Sequence, residues 1–231
     1  MDHAPLSKPL LSLKNVNLSL GSRAGAVHIL KDVSLQAKSG ETIGIVGPSG
    51  SGKTSLLMVI AGLEPVSSGE IFIDGEALHG KSEDTLAALR RKTIGIVFQS
   101  FHLIPTLSAL ENVALPLEFK GTANAVALAR QKLADVGLGH RLQHYPGQMS
   151  GGEQQRVAIA RALASGAKMI LADEPTGNLD QETGKTIMDM LFDINRTEGT
   201  SLLLVTHDRS LAGRCGRMIE VRDGKLSEAQ A

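Results

Sequence analysis

Ile43-Gly44-Ile45-Val46-Gly47-Pro48-Ser49-Gly50-Ser51-Gly52-Lys53-Thr54 decides how the rest of the chain is read. The first four residues form a short apolar run, as expected of a strand covered on both faces. Gly47, Pro48, Ser49, Gly50, Ser51, Gly52, Lys53 and Thr54 then fit G-x-x-x-x-G-K-[ST]. Glycines at this spacing let successive backbone N–H groups turn inward around an anion. A helix predicted from Lys53 to about Ala61, with Gly62 as its cap, adds the positive end of its dipole. Lys53 supplies a mobile charge for β- and γ-phosphates, and the Thr54 hydroxyl is placed to ligate Mg²⁺. The expected ligand is ATP with Mg²⁺.

Outward from this loop the chain reads as α/β. Ile94 to Phe98, Met169 to Ala172 and Leu202 to Thr206 repeat the apolar-run pattern, separated by helical stretches, which predicts a mostly parallel sheet. Upstream, Val16, Leu18 and Leu20 alternate with polar residues, as do Val33 and Leu35. Ile71-Phe72-Ile73 enters a tight turn at Asp74-Gly75, and a second hairpin closes the chain around Asp223-Gly224. From about residue 105 to 164 the strand pattern stops; Thr122 to Asp135 and Glu153 to Leu163 are predicted helical. We read residues 10–228 as one domain carrying this stretch as an inserted helical subdomain. A helix after Asp180 is predicted to bury Ile187, Met190, Leu191 and Ile194 and to end before Gly199.

Composition narrows the function. Lys+Arg and Asp+Glu balance at 24 each over 231 residues, so no excess of positive charge points to nucleic acid. The single cysteine, Cys215, allows no internal disulfide. With no leader legible at Met1 to Pro9, it points to a reducing cytosol. No apolar run approaches the ~20 residues that span a bilayer. The longest, Leu56 to Leu63, reads as a buried helix, so action at a membrane requires a second chain.

Two further constellations carry chemistry. Met169 to Glu174 is an apolar strand ending in two carboxylates. Asp173 there can hold Mg²⁺ through water, and Glu174 can orient and deprotonate an attacking water. Ser150-Gly151-Gly152-Glu153 opens a helix with capping-box spacing, and its two glycines leave the N–H groups bare to an anion. His140 and His144 are spaced like metal ligands but have no carboxylate or thiol partner, and Cys215 has no activating neighbour.

Together these residues resemble the ATP-binding cassette (ABC) ATPases, over about residues 10 to 225. Gly47–Thr54 resembles the Walker A motif of a P-loop NTPase with a RecA-like core and an N-terminal antiparallel β-subdomain. Met169–Glu174 resembles Walker B, and Ser150–Glu153 the signature core. Gln99 resembles the Q-loop glutamine, Asn178-Leu179-Asp180 the D-loop and His207 the switch histidine. The wording around Phe98-Gln99, Leu103-Ile104-Pro105 and Glu174-Pro175-Thr176-Gly177-Asn178-Leu179-Asp180 is similar to lipoprotein-release and macrolide-exporter ATPases, and to YbbA-like proteins. The resemblance implies head-to-tail pairing of two copies, with ATP held at Lys53 of one meeting Ser150, Gly151 and Gly152 of the other. It also implies Gln99, Thr54 and Asp173 on Mg²⁺, Glu174 as base and His207 on the γ-phosphate. An integral-membrane permease would dock near Phe101, Leu103 and Ile104, holding the chain at the cytoplasmic face of the inner membrane.

Three departures matter. Met149 replaces the usual Leu, a change of similar volume. Glu153 replaces Gln, and its carboxylate is expected to fold back onto the Ser150 N–H. Leu20 aligns where the family stacks adenine on an aromatic ring, and no Phe or Tyr precedes residue 72. The alternatives to a transporter subunit are a soluble ABC ATPase in translation or DNA maintenance, and an ATP sensor without turnover. The chain has one cassette and no long insertion between Thr54 and Asp173, and Glu174 and His207 are both present.

Overall fold

The computed structural model describes residues 8–22 and 25–229. They form two compact units: one takes the residues up to Leu86 and those from Val205 on, the other Ala87–Leu204.

In the first unit the early alternation becomes an antiparallel sheet. Strand β1 (Leu11–Ser22) pairs with β2 (Gly25–Ala37) and β4 (Ser68–Ile73), and β4 turns through Asp74-Gly75 into β5 (Glu76–Ala77). Asp74 and Gly75 both have positive φ, as a tight hairpin turn of this kind requires. Leu11, Leu13, Val16 and Leu18 are buried although Leu13 and Val16 are three residues apart. A register shift between them, with Asn15 at φ 49, absorbs the extra residue and keeps both side chains on one face.

The same unit holds β3 (Thr42–Val46), parallel to β9 (Arg217–Arg222), which pairs antiparallel with β10 (Lys225–Ala229). β3 feeds the glycine-rich loop and α1 (Lys53–Ile60). Gly62, at φ 63, stops the helix as expected. The apolar run outlasts its helix, however: Leu63 lies beyond the stop and is exposed.

The second unit contains most of α2 (Glu83–Thr93), which leads into β6 (Ile94–Phe98). β6 lies parallel to β7 (Met169–Asp173), and β8 (Ser201–Val205) neighbours β7. Three helices lie between β6 and β7 in sequence: α3 (Ala109–Phe119), α4 (Ala125–Asp135) and α5 (Gly151–Ala164). They pack on one another and bury Val113, Leu117, Leu133 and Val157. After β7 comes α6 (Gln181–Glu198), started by Asp180 and stopped by Gly199; the short α7 (Arg209–Ala212), which follows β8 in sequence, belongs to the first unit.

The helix limits differ from expectation in physical detail. α4 starts at Ala125, because Asn124 adopts the left-handed conformation and breaks the helix there. α5 starts at Gly151, two residues before Glu153, with both glycines inside its first turn. α6 buries Met188 beside Ile187 and Leu191, whereas Met190 and Ile194 are only partly covered.

Candidate active site

In the first unit, the loop after β3 is shaped by contacts that only glycine permits. Gly47 has φ 151, and a Cβ there would lie 2.2 Å from the Val221 carbonyl oxygen. Lys53 is nearly buried at 9% exposure. Its Nζ donates to the Gly47 carbonyl at 2.8 Å and the Pro48 carbonyl at 2.9 Å, so the side chain arches over its own loop. Ser51 Oγ is buried inside the loop and has no hydrogen-bond partner among the described residues. α1 has neither a side-chain cap nor an acidic residue in its first turn, which leaves its N-terminal N–H groups and positive dipole end to an anion. The Thr54 side chain is exposed at that end.

His207 belongs to this unit too. The Thr206 N–H donates to the Ile45 carbonyl at 3.1 Å, which anchors the backbone just before His207 to the strand that leads into the loop. Asp208 N–H donates to Thr206 Oγ1, fixing the bend that carries the exposed His207 side chain. Leu20 stands near the end of β1, 38% exposed.

In the second unit, β7 is buried along its whole length and delivers Asp173 at 9% exposure. Glu174 follows at φ 48, a strained conformation for a residue with a side chain. The Gly177 N–H closes a turn on the Glu174 carbonyl at 3.0 Å. Phe98 is the registered partner of Asp173, so Gln99 and Glu174 leave neighbouring parallel strands side by side at their C-terminal ends. This is where parallel sheets present their chemistry.

A closed capping box starts α5. Ser150 Oγ accepts from the Glu153 N–H, and the Glu153 carboxylate accepts from the Ser150 N–H at 2.8 Å, as expected. The other Glu153 oxygen takes Arg141 Nε at 2.9 Å. Both oxygens are thus engaged within the chain, and Glu153 shapes the helix start. A Cβ on Gly152 would lie 2.5 Å from Thr183 Cγ2, so close packing of α5 against α6 requires the glycine. Asp180 caps α6 by accepting from the Thr183 N–H at 3.0 Å; the Thr183 hydroxyl and N–H hold its carboxyl below the usual range.

Several residues around this site escaped the sequence reading. Gln155, fully buried on α5, donates to the Pro175 carbonyl and the Phe98 carbonyl. Arg161, on the same helix, donates to the carbonyls of Phe101 and His102, two consecutive residues at positive φ. Asn112 of α3 pairs with both backbone groups of Ile104. An arginine inside the apolar run Val157 to Leu163 is a legible anomaly; for the other two the residue type alone carries no signal. His144 Nε2 meets Arg141, and no cluster of three metal-ligating side chains occurs among the described residues. Burial pushes the Cys215 thiol up to about 12, which leaves it unreactive.

These side chains fit a nucleoside triphosphate. The loop offers an arched lysine, an orphaned buried hydroxyl and an uncapped helix end, all suited to phosphate oxygens. Thr54, in the first unit, and Gln99 and Asp173, in the second, each carry an oxygen donor of the kind Mg²⁺ takes.

A family model described as ABC transporter matches residues 30–177. The chain belongs to the ABC transporter family. The match takes in the phosphate loop, Gln99, Ser150–Glu153, Asp173 and Glu174 of this ABC cassette, and leaves Leu20, Asp180 and His207 outside it. Among similar proteins, the uncharacterized ABC transporter ATP-binding protein YbbA of Escherichia coli (strain K12) is 49% identical over 221 residues, 95% of this chain and 97% of that protein. The lipoprotein-releasing system ATP-binding protein LolD of Shewanella denitrificans is 44% identical over 228 residues, 98% of each. The macrolide export ATP-binding/permease protein MacB of Wolinella succinogenes is 43% identical over 227 residues, which are 97% of this chain and 35% of that protein. Among solved structures, a dimeric post-hydrolysis state of the ATP-binding cassette MJ0796 bound to ADP and Pi superposes with a TM-score of 0.87 at 41% identity. It covers 96% of this chain and 99% of that one. The P-loop α/β core with its antiparallel N-terminal sheet is therefore that of an ABC ATPase.

Proposed function

We propose that this chain is the ATP-hydrolysing subunit of an ABC transporter, paired head to tail with a second copy and driving a separate integral-membrane permease. The observation that carries this reading is the loop itself, where Lys53 arches over the Gly47 and Pro48 carbonyls around the buried Ser51 hydroxyl. Lys53, Thr54 and the loop N–H groups of Gly47 to Gly52 bind the phosphates, with Leu20 beside the base. Thr54, Gln99 and Asp173 would hold Mg²⁺, which would supply charge neutralisation to the phosphates. Glu174 takes a proton from the attacking water, and His207 holds the γ-phosphate and that water in place. Ser150, Gly151 and Gly152 of the second copy close the site, with Glu153 bracing their helix start and Asp180 standing at the join between copies.

Among the described residues no helix is long and apolar enough to cross a membrane, in keeping with a permease on another chain. The loop from Phe101 to Leu107, pinned by Arg161 and Asn112 yet exposing Ile104, suits a docking surface for that permease. Such a chain works at the cytoplasmic face of the inner membrane, as one cassette over residues 10–228 with residues 105–164 as its helical insert. The work done is export, lipoprotein release or a shape change across the envelope.

The test is ATP binding and turnover by the purified chain and two variants. Glu174→Gln should bind ATP as the wild type does and lose turnover by about 10²-fold or more; Lys53→Ala should lose binding. A Glu174→Gln variant that hydrolyses ATP normally contradicts the assignment.

A further inference from the structure

We infer that Asn178 is a positioning residue that decides which end of the Gln99 side-chain amide is left to bind a cation. The inference rests on the reading of Gln99 as a Mg²⁺ ligand.

A glutamine amide carries an oxygen and a nitrogen of nearly equal size on a soft terminal torsion. Only the oxygen can ligate Mg²⁺. A glutamine that turns freely presents the wrong atom much of the time, so something must hold it. Asn178, in the turn between β7 and α6, does so through two hydrogen bonds. One of its side-chain atoms lies 3.1 Å from the backbone carbonyl oxygen of Gln99. A carbonyl only accepts, so that atom is Nδ2. The other end of the same amide, Oδ1, faces the Gln99 side chain at 3.0 Å. An oxygen there only accepts, so the Gln99 atom that meets it is Nε2.

The backbone carbonyl of Gln99 thus orients Asn178, and Asn178 in turn orients the Gln99 side chain. Gln99 Oε1 accepts no hydrogen bond among the described residues and keeps its lone pairs available. A second contact holds the nitrogen end: a Cβ on Gly177 would lie 2.7 Å from Nε2, so the turn packs directly against it. Leucine at 178 would fill the space and orient nothing, and aspartate would set a carboxylate against the Gln99 carbonyl.

The experiment is a Mg²⁺ titration of the binding of a fluorescent ATP analogue, followed by its fluorescence, with an EDTA arm. It compares the wild type, Asn178→Ala, Gln99→Ala and the double variant. Asn178→Ala should raise the half-saturating Mg²⁺ concentration about three- to tenfold, the weight of one or two hydrogen bonds, and leave binding in EDTA unchanged. Gln99→Ala should raise it at least as far, and the double variant no further than Gln99→Ala. Losses that add in the double variant overturn the inference, as does equal weakening of Asn178→Ala in EDTA. So does a Gln99→Ala effect with none from Asn178→Ala, and this outcome leaves the Gln99 assignment standing. A Gln99→Ala variant with wild-type Mg²⁺ dependence removes the assignment and the inference with it.

Discussion

Gln155 donates a hydrogen bond to the carbonyl oxygen of Pro175 at 2.6 Å, tying the helix capped by Ser150 to the backbone just after Glu174. The same amide reaches the Phe98 carbonyl at 3.4 Å, next to Gln99. One fully buried side chain thus fixes the exits of two parallel strands, including the residue that follows Glu174 in its strained conformation. Replacement by Leu keeps the volume but takes this donor from the Pro175 carbonyl, while the Phe98 carbonyl still accepts from the Phe101 N–H at 3.3 Å. Gln155→Leu should lose about 1–3 kcal/mol of stability, read as a lower urea midpoint, and turnover should fall more than ATP binding. An unchanged midpoint would show that neither bond matters.

The Glu153 carboxyl sits below the usual carboxylate range. Acceptance from the Ser150 N–H is the largest cause and Arg141 adds to it, against a burial that raises it. Because the folded value is the lower one, this stabilisation is complete above the unfolded value of about 4.3. It fades as the pH falls through the folded value. Glu153→Gln should therefore be less stable than the wild type at neutral pH, by a gap that shrinks as the pH falls through the folded value. Its ATP affinity should match the wild type, because both carboxylate oxygens are engaged within the chain. A gap independent of pH, or a weaker ATP affinity, would count against this account.

Much of the fold was legible because it follows from local chemistry. The phosphate loop, the hairpins at Asp74-Gly75 and Asp223-Gly224 and the Ser150–Glu153 capping box are each set by residues within a few positions of one another. The start of α4 was not legible: Asn124 takes φ 61 with no side-chain cap to announce it. Nor was α3 as a helix, since Pro116 lies inside it; the Ser108–Glu111 capping box holds its first turn. The site divides in the same way. Side chains proposed to act on phosphate are read from motifs, whereas Gln155, Arg161 and Asn178 act on backbone 20 to 79 residues away. Only tertiary packing brings those partners together.

Beside the base, as proposed above, Leu20 would give dispersion and burial but no ring to stack on. Competition binding should put ATP and GTP within about tenfold of each other. Leu20→Tyr, at a position exposed enough to take a ring, should tighten ATP by about 1 kcal/mol, roughly fivefold. Strong discrimination against GTP by the wild type would refute the assignment of Leu20.

If each site is made by two copies, two variants that are inactive alone should restore each other when mixed. Lys53→Ala disables the phosphate loop. Ser150→Phe, at an exposed position, blocks the closing surface. A mixed dimer then holds one doubly damaged site and one intact site. An equal mixture should recover turnover to about a quarter of the wild-type rate, as random pairing in a two-fold dimer predicts, while each variant alone stays inactive. A mixture no more active than its components would contradict the shared site.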